Sequence, residues 1–163
     1  MKTIYLIRHA HSSRSNFYML EDHERPLDER GKSEATVLAK LLKDKNIKPE
    51  FTLCSTAKRT KETYSYFTEY FSSIPLSLSK TLYLASSSIL QNEIAAIPNE
   101  FSTCFLIGHN SGLSDLVSAI LERPVDLPTC SFTQIEFPVD DWKDINLRDA
   151  KITASFTAKD LLE

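Results

Sequence analysis

The chain has 163 residues, 42% of them hydrophobic and 25% charged, with a net charge of −3. That composition is ordinary for a soluble globular protein and is long enough to bury roughly 70% of the surface of the unfolded chain. The total charge gives no reason to expect nucleic acid or an anionic membrane as a partner, and no stretch approaches the length of a membrane span.

Cys54, Cys104 and Cys130 are widely spaced and form no CxxC pair, which favours free thiols in a reducing compartment over a disulfide framework or a structural zinc site. The apolar run after Lys2 stops at Arg8, too short for the core of a secretory signal. The expectation is one cytoplasmic domain over residues 1–163. The oligomeric state is not set by the sequence, and a monomer is compatible with it.

In chain order, Thr3–Ile7 reads as a short buried strand that ends in charge. Residues 12–30 are polar, hold Pro26 and read as a long loop, the kind that carries function. From Gly31 to about Lys45, Ala35, Leu38, Leu41 and Leu42 recur at helical spacing. Phe51–Cys54 is a second strand. Thr60, Tyr64, Phe67 and Phe71 share one face of a helix over Thr56–Phe71, a face better suited to core than to a partner. Leu76–Leu78 is a short third strand. Ser86–Ile97 is a helix with serines as N-caps and Pro98 past its end. Thr103–Ile107 is a buried strand, and Leu113, Leu116, Val117, Ile120 and Leu121 form the cleanest amphipathic helix, stopped before Pro124. Ser131–Val139 and Lys151–Thr157 complete the strands, with Asp140, Asp141 and Trp142 between them as a docking edge or a solvated loop. This alternation implies a three-layer α/β/α sandwich with a mostly parallel central sheet.

Ligands of such sheets bind beyond the carboxyl ends of the strands. The first strand ends in Arg8-His9, the second in Cys54-Ser55 with Arg59 one turn into the next helix, and the fourth in Gly108-His109-Asn110. Gly108 permits a close backbone approach or an unusual dihedral, and Asn110 or Ser111 can cap the helix that follows. A cation in the first turn works against the helix dipole, so Arg59 is explained either by an anion held nearby or by pairing with Glu62 or Glu69. Guanidinium forks match phosphate oxygens, a neutral imidazole can attack phosphorus, and a second imidazole can donate hydrogen bonds to the transferring group. Arg8, His9, Arg59 and His109 together describe a phosphoryl-transfer site that uses no cofactor and no metal.

Arg8-His9-Ala10 resembles the RHG motif of the histidine phosphatase (phosphoglycerate mutase-like) superfamily. Ser55 to Arg59, followed by Thr63, is similar to its second motif, and Gly108-His109-Asn110 to its third. The stretches DHERPLDERG (Asp22–Gly31) and LYLASSSIL (Leu82–Leu90) resemble the small SixA-like branch, which is linked to phosphohistidine phosphatase activity. The resemblance implies a phosphoglycerate mutase-like fold and a metal-independent reaction. In it His9 becomes a phosphohistidine that water hydrolyses, while Arg8, Arg59 and His109 bind the phosphoryl group. It also implies a phosphorylated protein or a small phosphorylated compound as partner.

Two departures matter. Ala10 stands where the family has Gly, tolerable unless the position needs a positive φ. No carboxylate occurs at Asn110 or within Ser79–Leu84, the places where larger branches carry a general acid. Imidazole leaves from a phosphohistidine as a weak base, whereas an alkoxide needs a proton. The missing acid therefore favours phosphohistidine over alcohol esters, unless Asp22, His23, Glu24 or Asp28 folds over the site. The alternatives are a broad phosphomonoesterase acting on metabolites or on phosphoserine and phosphotyrosine, and a phosphate-binding module without turnover. Arg25 either contacts substrate or holds the loop through Asp22 or Asp28. His11 forms H-x-H with His9 but has no further metal ligand at suitable spacing, so it is read as lining the rim or as exposed. His23 reads as a solvated loop residue. Asn110 joins Arg25 and His11 as a candidate substrate contact. Cys54 to Arg59 is one residue short of a cysteine-phosphatase loop, and Cys54 reads as a small buried strand residue.

Overall fold

The computed structural model describes residues 1–162. Strands β1 (Lys2–Arg8), β2 (Phe51–Ser55), β3 (Leu76–Ser79), β4 (Thr103–Gly108), β5 (Ser131–Phe137) and β6 (Lys151–Thr157) form one sheet in the order β3-β2-β4-β1-β5-β6. The first four are parallel; at one edge β5 pairs antiparallel with β1, and β6 pairs antiparallel with β5. The helices are α1 (Glu29–Asp44), α2 (Lys58–Phe67), α3 (Ser87–Ala95), α4 (Gly112–Leu121) and α5 (Ala158–Leu162).

Alternation along each strand divides the core. Ile4 and Leu6 of β1, with Cys104 and Leu106 of β4, face Leu90, Ile94, Leu113 and Leu116 of α3 and α4. Tyr5, Ile7, Phe105 and Ile107 point the other way, onto Leu38 and Leu42 of α1 and Phe67 of α2. The expected three layers follow from this period of two in the strands against 3.6 in the helices. The chain leaves β1 for one face of the sheet and leaves β4 for the other. These adjacent parallel strands therefore flank a topological switch point, where an open α/β sheet has its binding crevice.

Several local readings change. The long loop is not featureless: Asp22–Glu24 is a 3-10 turn, and α1 begins at Glu29 because the Asp28 carboxylate accepts from Gly31 N–H at 2.8 Å. Helix α2 stops at Phe67, four residues early, yet Phe71 stays buried with its ring edge on Phe105 at 5.2 Å. Trp142 belongs to neither a docking edge nor a solvated loop. It is fully buried, and its indole N–H donates to the Phe101 carbonyl at 2.7 Å.

Gly108 has an ordinary negative φ, and a Cβ there would meet only leucine side chains at van der Waals distance. The close approaches fall to the other two glycines. A Cβ on Gly31 would lie 2.0 Å from the His11 carbonyl oxygen, and one on Gly112 would lie 1.9 Å from that of Ala85. These contacts seat the first turns of α1 and α4 directly on the two loops beside the strand ends. Gly31→Ala is expected to cost about 2 kcal/mol or more, because backbone must move to admit the methyl group. Urea denaturation should show a lower midpoint with an unchanged slope.

Candidate active site

His9 follows β1 directly, and its N–H donates to the Gly108 carbonyl at 3.1 Å, carrying the β1–β4 pairing one step past the strands. His9 and His109 thus sit side by side, with ring centroids 5.3 Å apart, 7% and 2% exposed. Burial pushes both imidazoles toward the neutral form. His9 lies well below its ordinary value, and His109 falls to about 3 through burial and then the nearby Arg59 charge.

Hydrogen bonds assign the tautomers. His9 Nδ1 lies 2.7 Å from the Ala10 carbonyl oxygen, which can only accept, so Nδ1 carries the proton and Nε2 the lone pair. Arg59 Nε–H points at that same Nε2 from 3.3 Å. The Ser55 hydroxyl accepts from Ala57 N–H at 3.3 Å and contacts His109 Nε2 at 2.8 Å. The hydroxyl proton has no other acceptor among the described residues, so it donates to Nε2, and the His109 proton is on Nδ1. That Nδ1 is buried without a hydrogen-bond partner, as is Arg8 Nε. Buried donors left unpaired are rare enough to require a reason, and both belong to residues lining one cavity.

The cavity holds about 180 Å³ and is lined by Arg8, His9, His11, Ser12, Arg14, Arg25, Arg59, Leu84, His109, Asn110 and Thr129. Four guanidinium groups and three imidazoles face it, and no carboxylate does. Such a lining favours an anion. No group of three His, Cys, Asp or Glu suited to holding a metal ion occurs among the described residues.

Charge behind the wall is balanced by Asp22, far from Arg59 in the sequence. Its Oδ2 accepts from Arg59 Nη2 at 3.0 Å and from the Tyr83 hydroxyl, while Oδ1 takes Nε and Nη2 of Arg25 at 3.1 and 2.9 Å. Burial opposes ionisation of this carboxyl, but Tyr83, Arg25 and Arg59 together hold it well below the usual carboxylate range. Arg59 therefore pairs with neither Glu62 nor Glu69. Of the roles left open for Arg25, the ion pair with Asp22 is formed; its Nη1 also donates to Ser12 O and Oγ at 2.9 and 3.0 Å. Asp28 instead holds His11 Nδ1 at 2.5 Å. Asn110 borders the cavity but directs its amide to Leu127 O at 2.9 Å, and its Oδ1 accepts from Ser114. His23 is half-buried, bonded to Thr56 Oγ1 at 2.9 Å and set edge-on to Tyr83, so it is not simply solvated.

Sequence reasoning missed Tyr83, whose ring packs edge-on to His109 at 5.4 Å, and Glu34, whose carboxylate accepts from His11 N–H at 2.8 Å. Glu34 had a signal: it lies four residues before Leu38, on the apolar face of α1. Tyr83 had none. Ala10 is free of strain, since its φ is not positive and its N–H donates to Thr63 Oγ1 at 3.0 Å.

The histidine phosphatase superfamily (branch 1) model matches residues 4–83, a segment holding Arg8, His9 and Arg59 but ending before His109. The chain belongs to this superfamily. It is a phosphatase by family. An uncharacterized chloroplastic protein of Arabidopsis thaliana is 28% identical over 88% of this chain and 70% of its own length. The fold is shared with the protein histidine phosphatase SixA complexed with tungstate, at a TM-score of 0.82 and 18% identity, covering 98% of this chain and 99% of that one. It is shared also with the alpha-ribazole phosphatase of Shigella flexneri, at a TM-score of 0.73 and 14% identity, covering 96% of each.

Two buried neutral histidines make folding sensitive to acid. Below the unfolded imidazole value of about 6.5 the unfolded chain takes up protons that the folded one refuses until about 3 for His109. Stability should therefore fall as pH drops through this window, by up to about 1.4 kcal/mol per pH unit for each histidine. Urea unfolding between pH 7 and pH 4 is expected to show this slope, and His109→Asn should make it shallower.

Proposed function

We propose that this histidine phosphatase works through a phosphorylated His9 and takes its phosphoryl group from a phosphohistidine, most suitably one carried by a protein. The observation that carries the reading is the aim of His9: its Nδ1 proton is committed to the Ala10 carbonyl, so its lone pair at Nε2 faces a cavity of cationic donors. In the first step Nε2 bonds to phosphorus and the substrate's N–P bond breaks. The leaving imidazole departs neutral when its other nitrogen is protonated. Arg8, Arg59 and His109 Nδ1–H stabilise the oxygens of the transferring group. In the second step water takes the phosphoryl group from His9, which regains its lone pair.

The substrate preference rests on proton supply. Asp22, the carboxylate bonded to Arg59 behind the cavity wall, is occupied by Arg25, Arg59 and Tyr83 and held anionic. It is a poor proton donor at neutral pH. An alcohol ester, whose leaving oxygen is strongly basic, therefore loses most from this arrangement. Arg25 and Asn110 act through the loops they fasten, and His11 borders the substrate. The small-metabolite alternative draws support from a shared fold with an alpha-ribazole phosphatase, and its test is the same.

Phosphate release should be measured side by side from a histidine-phosphorylated protein and from phosphoserine and phosphotyrosine peptides, with EDTA present. Phosphohistidine is expected to exceed phosphoserine by about 100-fold or more, the typical worth of a missing general acid. His9→Ala should lower the rate at least about 1,000-fold. Comparable release from phosphoserine would select the phosphomonoesterase, and phosphate binding without turnover would select the binding module.

A further inference from the structure

Resting on the reading of His9 as the phosphorylated group, we infer that His11, oriented by Asp28, is the base that activates the water hydrolysing the phosphoenzyme. The second step needs an acceptor for the proton of the attacking water, and no carboxylate lines the cavity. Those at its rim or behind its wall are otherwise placed: Asp126 is exposed to solvent, against the Asn110 amide at 3.3 Å. Asp22 is bound to Arg25, Arg59 and Tyr83. Glu34, 1% exposed, is turned to His11 N–H and the Thr129 hydroxyl. His109 Nε2 is bonded to Ser55, and its Nδ1 carries a proton.

His11 differs from all of these. It lines the same cavity as His9, about a third exposed and so within reach of water. Its Nδ1 meets Asp28 Oδ2 at 2.5 Å, and a carboxylate at that nitrogen keeps the proton there and the lone pair on Nε2. Nε2 has no hydrogen-bond partner among the described residues. The ring is held at both ends of its residue: Glu34 accepts the backbone N–H, and the His11 carbonyl accepts from Asp28 N–H at 3.2 Å. Asp28 is itself fixed as the N-cap of α1. A carboxylate that orients an imidazole whose far nitrogen is open to water is the arrangement of a general base. The charged groups around it are Asp28 and Glu34 behind, and Arg8, Arg14, Arg25 and Arg59 along the cavity.

The step balances. Water oxygen bonds to phosphorus, the P–Nε2 bond of His9 breaks with its electron pair returning to Nε2, and the water proton passes to His11 Nε2. Asp28 stabilises the imidazolium so formed, and the proton is then lost to solvent or to the departing phosphate.

The test is rapid-quench kinetics with radiolabelled phosphoimidazole, which needs no acid to leave. Label on the protein and free phosphate are counted separately. Wild type should carry label on only a small fraction of molecules at steady state. His11→Gln should acquire label at nearly the wild-type rate but release phosphate about 100-fold more slowly, so that nearly every molecule is labelled. Asp28→Asn, which keeps a good N-cap for α1, should shift the same balance about tenfold and serves if the first variant fails to fold. An unchanged labelled fraction in both variants overturns the inference, as does an equal slowing of both steps. Absence of label from wild type trapped in mid-turnover, or its persistence in His9→Ala, overturns the reading of His9 itself.

Discussion

The site depends on two neighbouring parallel strands that stay in register until both end. β1 and β4 pair from Thr3 with Thr103 to Arg8 with Gly108, and the bond from His9 N–H to the Gly108 carbonyl continues the ladder into the loops. Because the chain then turns to opposite faces of the sheet, a gap is left between the strand ends. Two histidines occupy it with 5.3 Å between ring centroids. Gly31 and Gly112 admit the flanking helices at backbone distance from His11 and Ala85 respectively, which walls the gap without filling it. Strand register thus sets the spacing of the reactive groups, and helix packing sets the size of the cavity.

Electrostatics then separates the members of the site. Burial keeps His9 and His109 neutral, and the arginines beside them reinforce it, since a second positive charge is unwelcome there. The same arginines need a counter-charge in the absence of an anion. Asp22 supplies it from behind Arg59 and Arg25, so the guanidinium groups are oriented before any ligand arrives. A preoriented donor set costs little reorganisation when charge develops on a transferring phosphoryl group. The arrangement also withdraws Asp22 from proton transfer, which ties substrate preference to the structural role of one carboxylate.

Two acidic residues illustrate how similar groups part company. Asp22 meets two guanidinium groups and a phenol, becomes an anchor and leaves the proton chemistry. Asp28 meets a backbone N–H with one oxygen and an imidazole with the other, so it joins the start of α1 to the cavity wall. Glu34 serves the same wall through the backbone of His11. Ala10 fits because its φ is unstrained and its methyl group is buried in the same apolar cluster as Ile7 and Leu27.

The strand and helix order, the three layers, and Arg8, His9, Arg59 and His109 at the strand ends were legible in the sequence. Burial periodicity and strand-end chemistry are local properties, written in runs of five to fifteen residues. What lay in the loops was not. Arg59 reaches Asp22 across 37 positions and Tyr83 reaches it across 61, and no period links such residues. The polarity of β5 and β6, the burial of Trp142 and the role of Gly31 likewise appear only when separate segments meet. Which chemical groups stand at the carboxyl edge of the sheet follows from the order of residues along the strands. Which of their protons and lone pairs are free follows from folding, because it depends on partners that the loops bring to about 3 Å.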